Sequence, residues 1–242
     1  MKDLITIGLP SKGRLKEKSI SFFNDRELKI IQSEKERNYF GAIENKPNVK
    51  IIFLHAKEII QRLGDGTLDI GISGLDLLKE SDKNLQSKIN VQKKLDYGNA
   101  NLVIAVPDDW IDVQTIADLE EISFDIRSKR NTRLRVATKY PNLTNDFLIS
   151  KGVTQYKLIP SLGATETYPF IGSSEIISDI TSTGKTLADN NLRVLKDGLI
   201  LSSRACLFIA KKKAAKLQPF LKSLGRWNYI PIPPMPPIPP MP

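Results

Sequence analysis

The segment from Asp179 to Leu187, DITSTGKTL, concentrates the residue types that hold a phosphate. An apolar strand pattern, IISDI, delivers Thr181, Ser182, Thr183, Gly184, Lys185 and Thr186 into a loop, and a helical pattern begins at Leu187. Small residues and Gly184 let backbone N–H groups come close to an anion. The threonines and the serine add hydroxyl donors, and the start of a helix adds a positive dipole. The GKT tripeptide is not a nucleoside triphosphatase P-loop, because that motif needs a glycine five residues before Gly184, where this chain has Asp179. An acid there suits a sugar diol or support for a divalent metal, since a carboxylate beside a phosphate nest otherwise repels the ligand. The same residues also read as a plain Ser/Thr/Gly helix cap.

Elements must position that loop, and the bulk properties bound what they can be. The chain has 242 residues, 40% hydrophobic and 26% charged, enough for one large core or two modest ones. No run approaches the roughly 18 apolar residues of a membrane span. The start, MKDLITIGLP, lacks a signal-peptide pattern, so a cytoplasmic location and no membrane partner are expected. One cysteine, Cys206, and one histidine, His55, exclude a disulfide framework and a multi-His or Cys-rich metal centre. His55 directly follows a strand and reads as structural, and Cys206, within ACLFIA, reads as a core thiol. The net charge of +9 favours anionic ligands. The basic residues are spread out and only KKK at 211–213 forms a run, so no nucleic-acid partner is expected.

Apolar β-rich runs alternate with helical patterns. They are strands at 4–9, 49–54 and 69–73 with helices over 13–24 and from about 56 and 75, then strands at 101–107, 134–138, 156–160 and 175–182 with a helix over 143–150. Such alternation predicts parallel sheets with covering helices, arranged as two α/β lobes with a central cleft. The chain is expected to cross between lobes more than once. The expected boundaries are 1–97 plus 188–203 for the first lobe and 98–187 plus 204–227 for the second. LRVLKDGLILSS at 192–203 reads as a strand pair returning to the first lobe, and RACLFIAKKK as a strand followed by a helix. Residues 228–242, NYIPIPPMPPIPPMP, hold eight of the 15 prolines and read as a polyproline or unstructured tail.

The stretch Glu166 to Leu187, ETYPFIGSSEIISDITSTGKTL, resembles the signature of the ATP phosphoribosyltransferase family, with Glu166, Gly172, Asp179, Ser182, Thr183, Gly184 and Thr186 matching. LPSKGRL at 9–15, ERNYFGAI at 36–43, GTLDIGISGLD at 66–76 and RVATKYPN at 135–142 resemble further family segments in the expected order. The resemblance spans nearly the whole chain except the proline tail. It implies a two-lobed fold similar to type II periplasmic binding proteins. The implied reaction joins N1 of the ATP adenine to C1 of phosphoribosyl pyrophosphate (PRPP), with inversion and release of pyrophosphate, assisted by Mg2+. This is the first step of histidine biosynthesis.

On that resemblance Thr183, Gly184, Lys185 and Thr186, with Ser182 beside them, would hold the 5-phosphate, and Glu166 and Asp179 the ribose hydroxyls. Arg14 and Lys12 would meet pyrophosphate or the ATP phosphates, Arg37 would be a second cation near the transferring group, and Asp69 would face the adenine or ribose of ATP. The family's usual Cys and basic residue before the second lobe's first strand are Ala100 and Asn101 here, and Ser173, Ser174 and Glu175 replace a Leu-Ala-Asp. The similarity ends near Trp227, so the chain resembles the short form. That form is expected as a catalytic homodimer inside a hetero-oligomer with a histidyl-tRNA-synthetase-like regulatory subunit. The main rival is a non-catalytic two-lobed solute-binding protein. A different phosphoribosyltransferase typically has two adjacent acids before its loop, whereas Ser178 precedes Asp179 here.

Overall fold

The computed structural model describes residues 4–32 and 39–225. In chain order β1 (Ile5–Pro10) leads to α1 (Gly13–Asn24), then β2 (Ile30–Gln32), β3 (Phe40–Ile43), β4 (Lys46–Leu54), α2 (Ala56–Asp65) and β5 (Ile70–Gly74). Next come α3 (Leu75–Glu80), α4 (Lys83–Ser87), β6 (Ile89–Lys94), β7 (Ala100–Pro107) and α5 (Ile116–Arg130). The remainder is β8 (Leu134–Thr138), α6 (Pro141–Ser150), β9 (Tyr156–Pro160), β10 (Ile176–Thr181), α7 (Lys185–Asp189), β11 (Leu192–Ser203), β12 (Ala205–Ala210) and α8 (Ala214–Ser223). Among the described residues no helix is long and apolar enough to cross a membrane.

These elements form two compact units, each with its own core. One comprises residues up to Gly74, Lys83–Tyr97 and the segment from Ala205; the other comprises Leu75–Asp82 and Gly98–Arg204. The first unit's sheet runs β2-β3-β4-β1-β5-β12-β6, and the second's runs β11-β7-β10-β8-β9. Both are mixed. β1 is parallel to β4 and β5, whereas β12 is antiparallel to β5 and β6. In the second sheet β8 is parallel to β9 and β10, whereas β7 is antiparallel to β10 and β11. The expected all-parallel arrangement therefore holds only around β1 and β8.

Central strands bury nearly every side chain, as ITIGLP in β1 and IGISG in β5 do, which is why they read as continuous apolar runs. α2 packs tightly over them. A Cβ on Gly8 would collide with Leu68, and one on Gly71 would lie 2.5 Å from Ile59 Cγ2. His55 caps α2, its Nδ1 accepting from the Lys57 amide at 3.3 Å, which is the structural role expected of it. Cys206 is fully buried in β12.

Two assignments from the sequence are overturned. Residues 192–203 form one long strand, β11, which pairs with β7 in the second unit through an irregular register between Val194 and Leu201. Residues from 205 return to the first unit, where β12 inserts between β5 and β6. Burial explains the exchange. β12 is apolar and buried at every position, as a strand with neighbours on both sides must be, whereas β11 carries exposed Lys196 and Asp197 and suits an edge. The sequence reading also missed α5, whose apolar stripe is weak. Its start signal is a capping box in which Thr115 Oγ1 accepts from the Asp118 amide and the Asp118 carboxylate accepts from the Thr115 amide at 2.7 Å.

Candidate active site

The loop Ser182–Thr186 leaves the second sheet at the carboxyl end of β10. Leu187 fixes it from below, buried among Val103, Ala105, Ala137, Ile177 and Leu192. Ser182, Thr183, Lys185 and Thr186 stay exposed. Gly184 adopts φ +75°, a left-handed turn that glycine enters without strain. The Gly184 amide donates to Thr181 Oγ1 at 2.9 Å and the Lys185 amide to Thr183 Oγ1 at 3.3 Å, so the loop is shaped by its own hydroxyls. Lys185 and Thr186 open α7, whose first amides have no acceptor within the helix.

Glu166 and Asp179 come to the same end of that sheet. Asp179 is the fourth residue of β10, and its Oδ1 accepts from the Ile180 amide at 2.8 Å. Glu166 lies in a 3-10 turn, Thr165–Thr167, on the loop that leaves the carboxyl end of β9. That loop is braced by a 2.9 Å contact between the Ser161 and Thr165 hydroxyls, with Ala164 in the left-handed region at φ 42°. Because β8, β9 and β10 run parallel, everything that follows their last residues clusters at one edge, where open α/β sheets bind ligands. The departing positions Ala100 and Asn101 start β7 at this edge, Asn101 level with Thr181.

Lys12 and Arg14 belong to the other unit, at the carboxyl end of β1. Lys12 is the residue before α1, Gly13 turns the chain with φ +65°, and Arg14 enters the first turn; Lys12 and Arg14 are exposed. Arg14 borders a cavity of about 510 Å³ shared with Lys18, Arg26, Lys93 and Tyr97. Burial pushes the Tyr97 phenol up to about 12, with the Ser19 hydrogen bond opposing, and lowers Lys93, helped by Arg26.

Asp69 does not join Lys12 and Arg14. It precedes β5 and is level with Thr6, so it sits at the opposite end of the parallel strands. It is 2% exposed; its Oδ2 accepts from the Thr6 amide at 2.6 Å. Lys213 Nζ stands 2.7 Å from Oδ1 and also donates to the Gly66 carbonyl, so this oxygen is met by charge without an aligned hydrogen bond. Asp69 is a structural ion-pair residue, and the expectation that it contacts ATP is corrected on that ground. Arg37 lies outside the described residues.

The sequence reading missed a buried polar chain beneath Asp179. Asp76, 6% exposed, accepts from Ser203 Oγ at 2.6 Å and from the Tyr140 hydroxyl at 2.9 Å. The Tyr140 phenol is driven well above its ordinary range by burial first and then by Asp76, with Asp179 and Glu80 adding to the effect. Only the polar residues inside RVATKYPN and SGLD could have signalled it.

A family model described as ATP phosphoribosyltransferase (HisG) matches residues 55–226. An ATP phosphoribosyltransferase from Brucella melitensis is 44% identical over 209 residues, covering 86% of this chain and 90% of that protein. A solved ATP phosphoribosyl transferase (HisG:HisZ) complex from Thermotoga maritima matches with a TM-score of 0.68 at 25% identity, covering 91% of this chain and 96% of that one. The substrate-binding protein of an amino acid ABC transporter shares the fold alone, with a TM-score of 0.51 at 12% identity and 91% coverage of each chain.

Proposed function

This chain belongs to the ATP phosphoribosyltransferase family, and from that premise we propose how its own residues carry out the family's reaction. It is a pentosyltransferase that joins N1 of the ATP adenine to C1 of PRPP and releases pyrophosphate, the first step of histidine biosynthesis. The reading of the residues rests on one observation. Glu166 and the loop from Ser182 to Thr186 follow the carboxyl ends of parallel strands in one sheet, and Asp179 lies in the carboxyl half of one of those strands.

Ser182, Thr183, Gly184, Lys185 and Thr186 hold the 5-phosphate, which fixes the ribosyl group at a point remote from the reacting carbon. Asp179 and Glu166 accept hydrogen bonds from the ribose hydroxyls. Their negative charge also favours the positive charge that grows on the ribosyl ring as the C1–O bond to pyrophosphate breaks. The adenine N1 lone pair forms the new bond at C1, so no protein nucleophile is required. Arg14 and Lys12 meet the negative charge of pyrophosphate or of the ATP phosphates, and Arg37 is assigned as the second cation from the resemblance alone.

Among the described residues no group of three His, Cys, Asp or Glu side chains gathers as a metal cage. A divalent cation here fits the form that magnesium usually takes, held by substrate phosphates and one or two carboxylates, for which Asp179 and Glu166 are at hand. Bound with PRPP, such a cation would supply charge neutralisation for the leaving pyrophosphate.

The partner is a histidyl-tRNA-synthetase-like regulatory subunit that pairs with a catalytic homodimer. Support for it is the likeness to a chain of an ATP phosphoribosyl transferase (HisG:HisZ) complex. Incubating the purified chain with ATP, PRPP and magnesium, with and without such a subunit, is expected to give the ultraviolet-absorbing adduct, with histidine inhibiting only when the subunit is present. No adduct under either condition defeats the reaction assignment; strong inhibition of the isolated chain by histidine defeats the partner assignment.

A further inference from the structure

The buried chain beneath Asp179 has no task in the reaction as described, yet every link of it is made. From Asp76 the path runs through the Tyr140 hydroxyl and then its backbone amide, which donates to Thr138 Oγ1 at 2.9 Å. Thr138 Oγ1 lies 3.3 Å from Thr144 Oγ1, which donates to Ser178 Oγ at 2.8 Å. Thr144 and Ser178 are fully buried, and Ser178 directly precedes Asp179 on β10. α3 also grips the next residues of the same turn, because the Glu80 carboxylate accepts from the amides of Asn142 and Leu143 at 3.0 Å each.

Well-packed apolar side chains of similar volume would stabilise such a core at least as well, so a fully satisfied polar network here serves geometry more than stability. The distribution of donors is instructive. Asp76 has both oxygens occupied, by Ser203 and Tyr140, whereas Asp179 takes only the neighbouring Ile180 amide among the described residues. The phenol stays protonated amid Asp76, Glu80 and Asp179, and it spends its proton on Asp76. Asp179 thereby keeps its remaining acceptor capacity for a ligand.

We propose that Tyr140 is a positioning residue for Asp179, tied to Asp76 on one side and to Thr138, Thr144 and Ser178 on the other, so that the Asp179 carboxylate meets the ribose hydroxyls of PRPP in one fixed orientation. The proposal rests on the assignment of Asp179 to the ribose. Tyr140→Phe removes the hydroxyl and leaves the ring.

The variant is expected to raise the KM for PRPP about tenfold while the KM for ATP stays within about twofold of the parent. Tyr140→Phe also leaves the buried Asp76 carboxylate without one of its two donors and lowers the Tm; in Tyr140→Phe/Asp76→Asn that charge is gone, so the Tm recovers while the KM for PRPP remains high. Three results would overturn the proposal: an unchanged KM for PRPP in Tyr140→Phe, parallel rises for both substrates, or recovery of KM together with Tm in the double variant. Calorimetric titration of PRPP separates this proposal from the reaction assignment. If the parent forms no adduct but still binds PRPP about tenfold more tightly than Tyr140→Phe, the reaction assignment fails and the positioning role stands. A parent that does not bind PRPP sinks both.

Discussion

Gly184 turns the loop proposed to hold the 5-phosphate with φ +75°, and a Cβ built there meets nothing within 4 Å. The obstacle to a side chain at this position is therefore conformational, about 1–2 kcal/mol and more for a β-branched residue. Gly184→Val is expected to move the loop and raise the KM for PRPP at least about tenfold with little change in Tm. Thr186→Ala deletes an exposed hydroxyl assigned to a charged phosphate; hydrogen bonds of that kind contribute about 1.5–3 kcal/mol, so PRPP should bind roughly 10- to 100-fold more weakly. Separate calorimetric titrations with PRPP and ATP check both variants, and an equal loss for ATP would contradict the placement of the loop on PRPP. These residues were legible because their chemistry is contiguous. Asp69 was misread for the opposite reason: the one-dimensional pattern marks a strand terminus but does not say which end of the sheet it occupies, and register with Thr6 decides that.

Elements are stapled by charges whose partners lie far away in sequence, and no local pattern reveals such pairs. Lys213 reaches across from the turn before α8 to Asp69, and Lys213→Met leaves a carboxylate that is 2% exposed without its cation. Removing one partner of a buried pair costs about 3–5 kcal/mol; with the lysine side chain 36% exposed the lower part of that range applies. The Tm should fall by roughly 5–10 °C, and Asp69→Asn in the same chain should restore much of it. Asp69→Asn alone should leave the KM for ATP unchanged, and a marked rise in it would reinstate Asp69 at the ATP site.

Arg135 and Glu175 form a second staple at the start of β8 and β10, with Nη2 2.6 Å from Oε1 and the Arg135 amide 2.7 Å from Oε2. Partial burial raises the Glu175 carboxyl, but the Arg135 hydrogen bonds and charge outweigh it and hold the group below 4.5. A depressed carboxyl contributes stability in full above its unfolded value, and that contribution is lost as pH falls through the folded value. Between about pH 5 and pH 3 the parent's Tm should therefore fall more steeply than that of Glu175→Gln. Parallel Tm-versus-pH curves for the two proteins would show that the pair adds nothing.

For the whole molecule, the two-unit α/β fold was legible from alternating apolar and helical periods, and most strand positions within it were as well. What the sequence left ambiguous was the route of the chain, which passes between units at Gly74/Leu75, Asp82/Lys83, Tyr97/Gly98 and Arg204/Ala205. Local pattern gives the type of an element; its neighbours in a sheet depend on which edge remains open once earlier strands have paired, and the adjacent β11 and β12 were exchanged for that reason. This route has a mechanical consequence. β12 is an inner strand of the first unit, lying between β5 and β6, although it is read from the far end of the chain. Leu207, Phe208 and Ile209 are buried, and at about 1.5–3 kcal/mol for each large apolar side chain they supply on the order of 6 kcal/mol. That is comparable with the entire net stability of an ordinary domain, about 5–15 kcal/mol. A chain ending at residue 204 should thus lose the first unit's sheet as a whole. The same cut leaves every strand of the second sheet in place. Hydrogen exchange on the truncated chain is expected to show protection confined to residues of the second sheet, β7 to β11; protection of β1, β4 and β5 at the full-length level would refute the dependence of the first unit on its C-terminal strand.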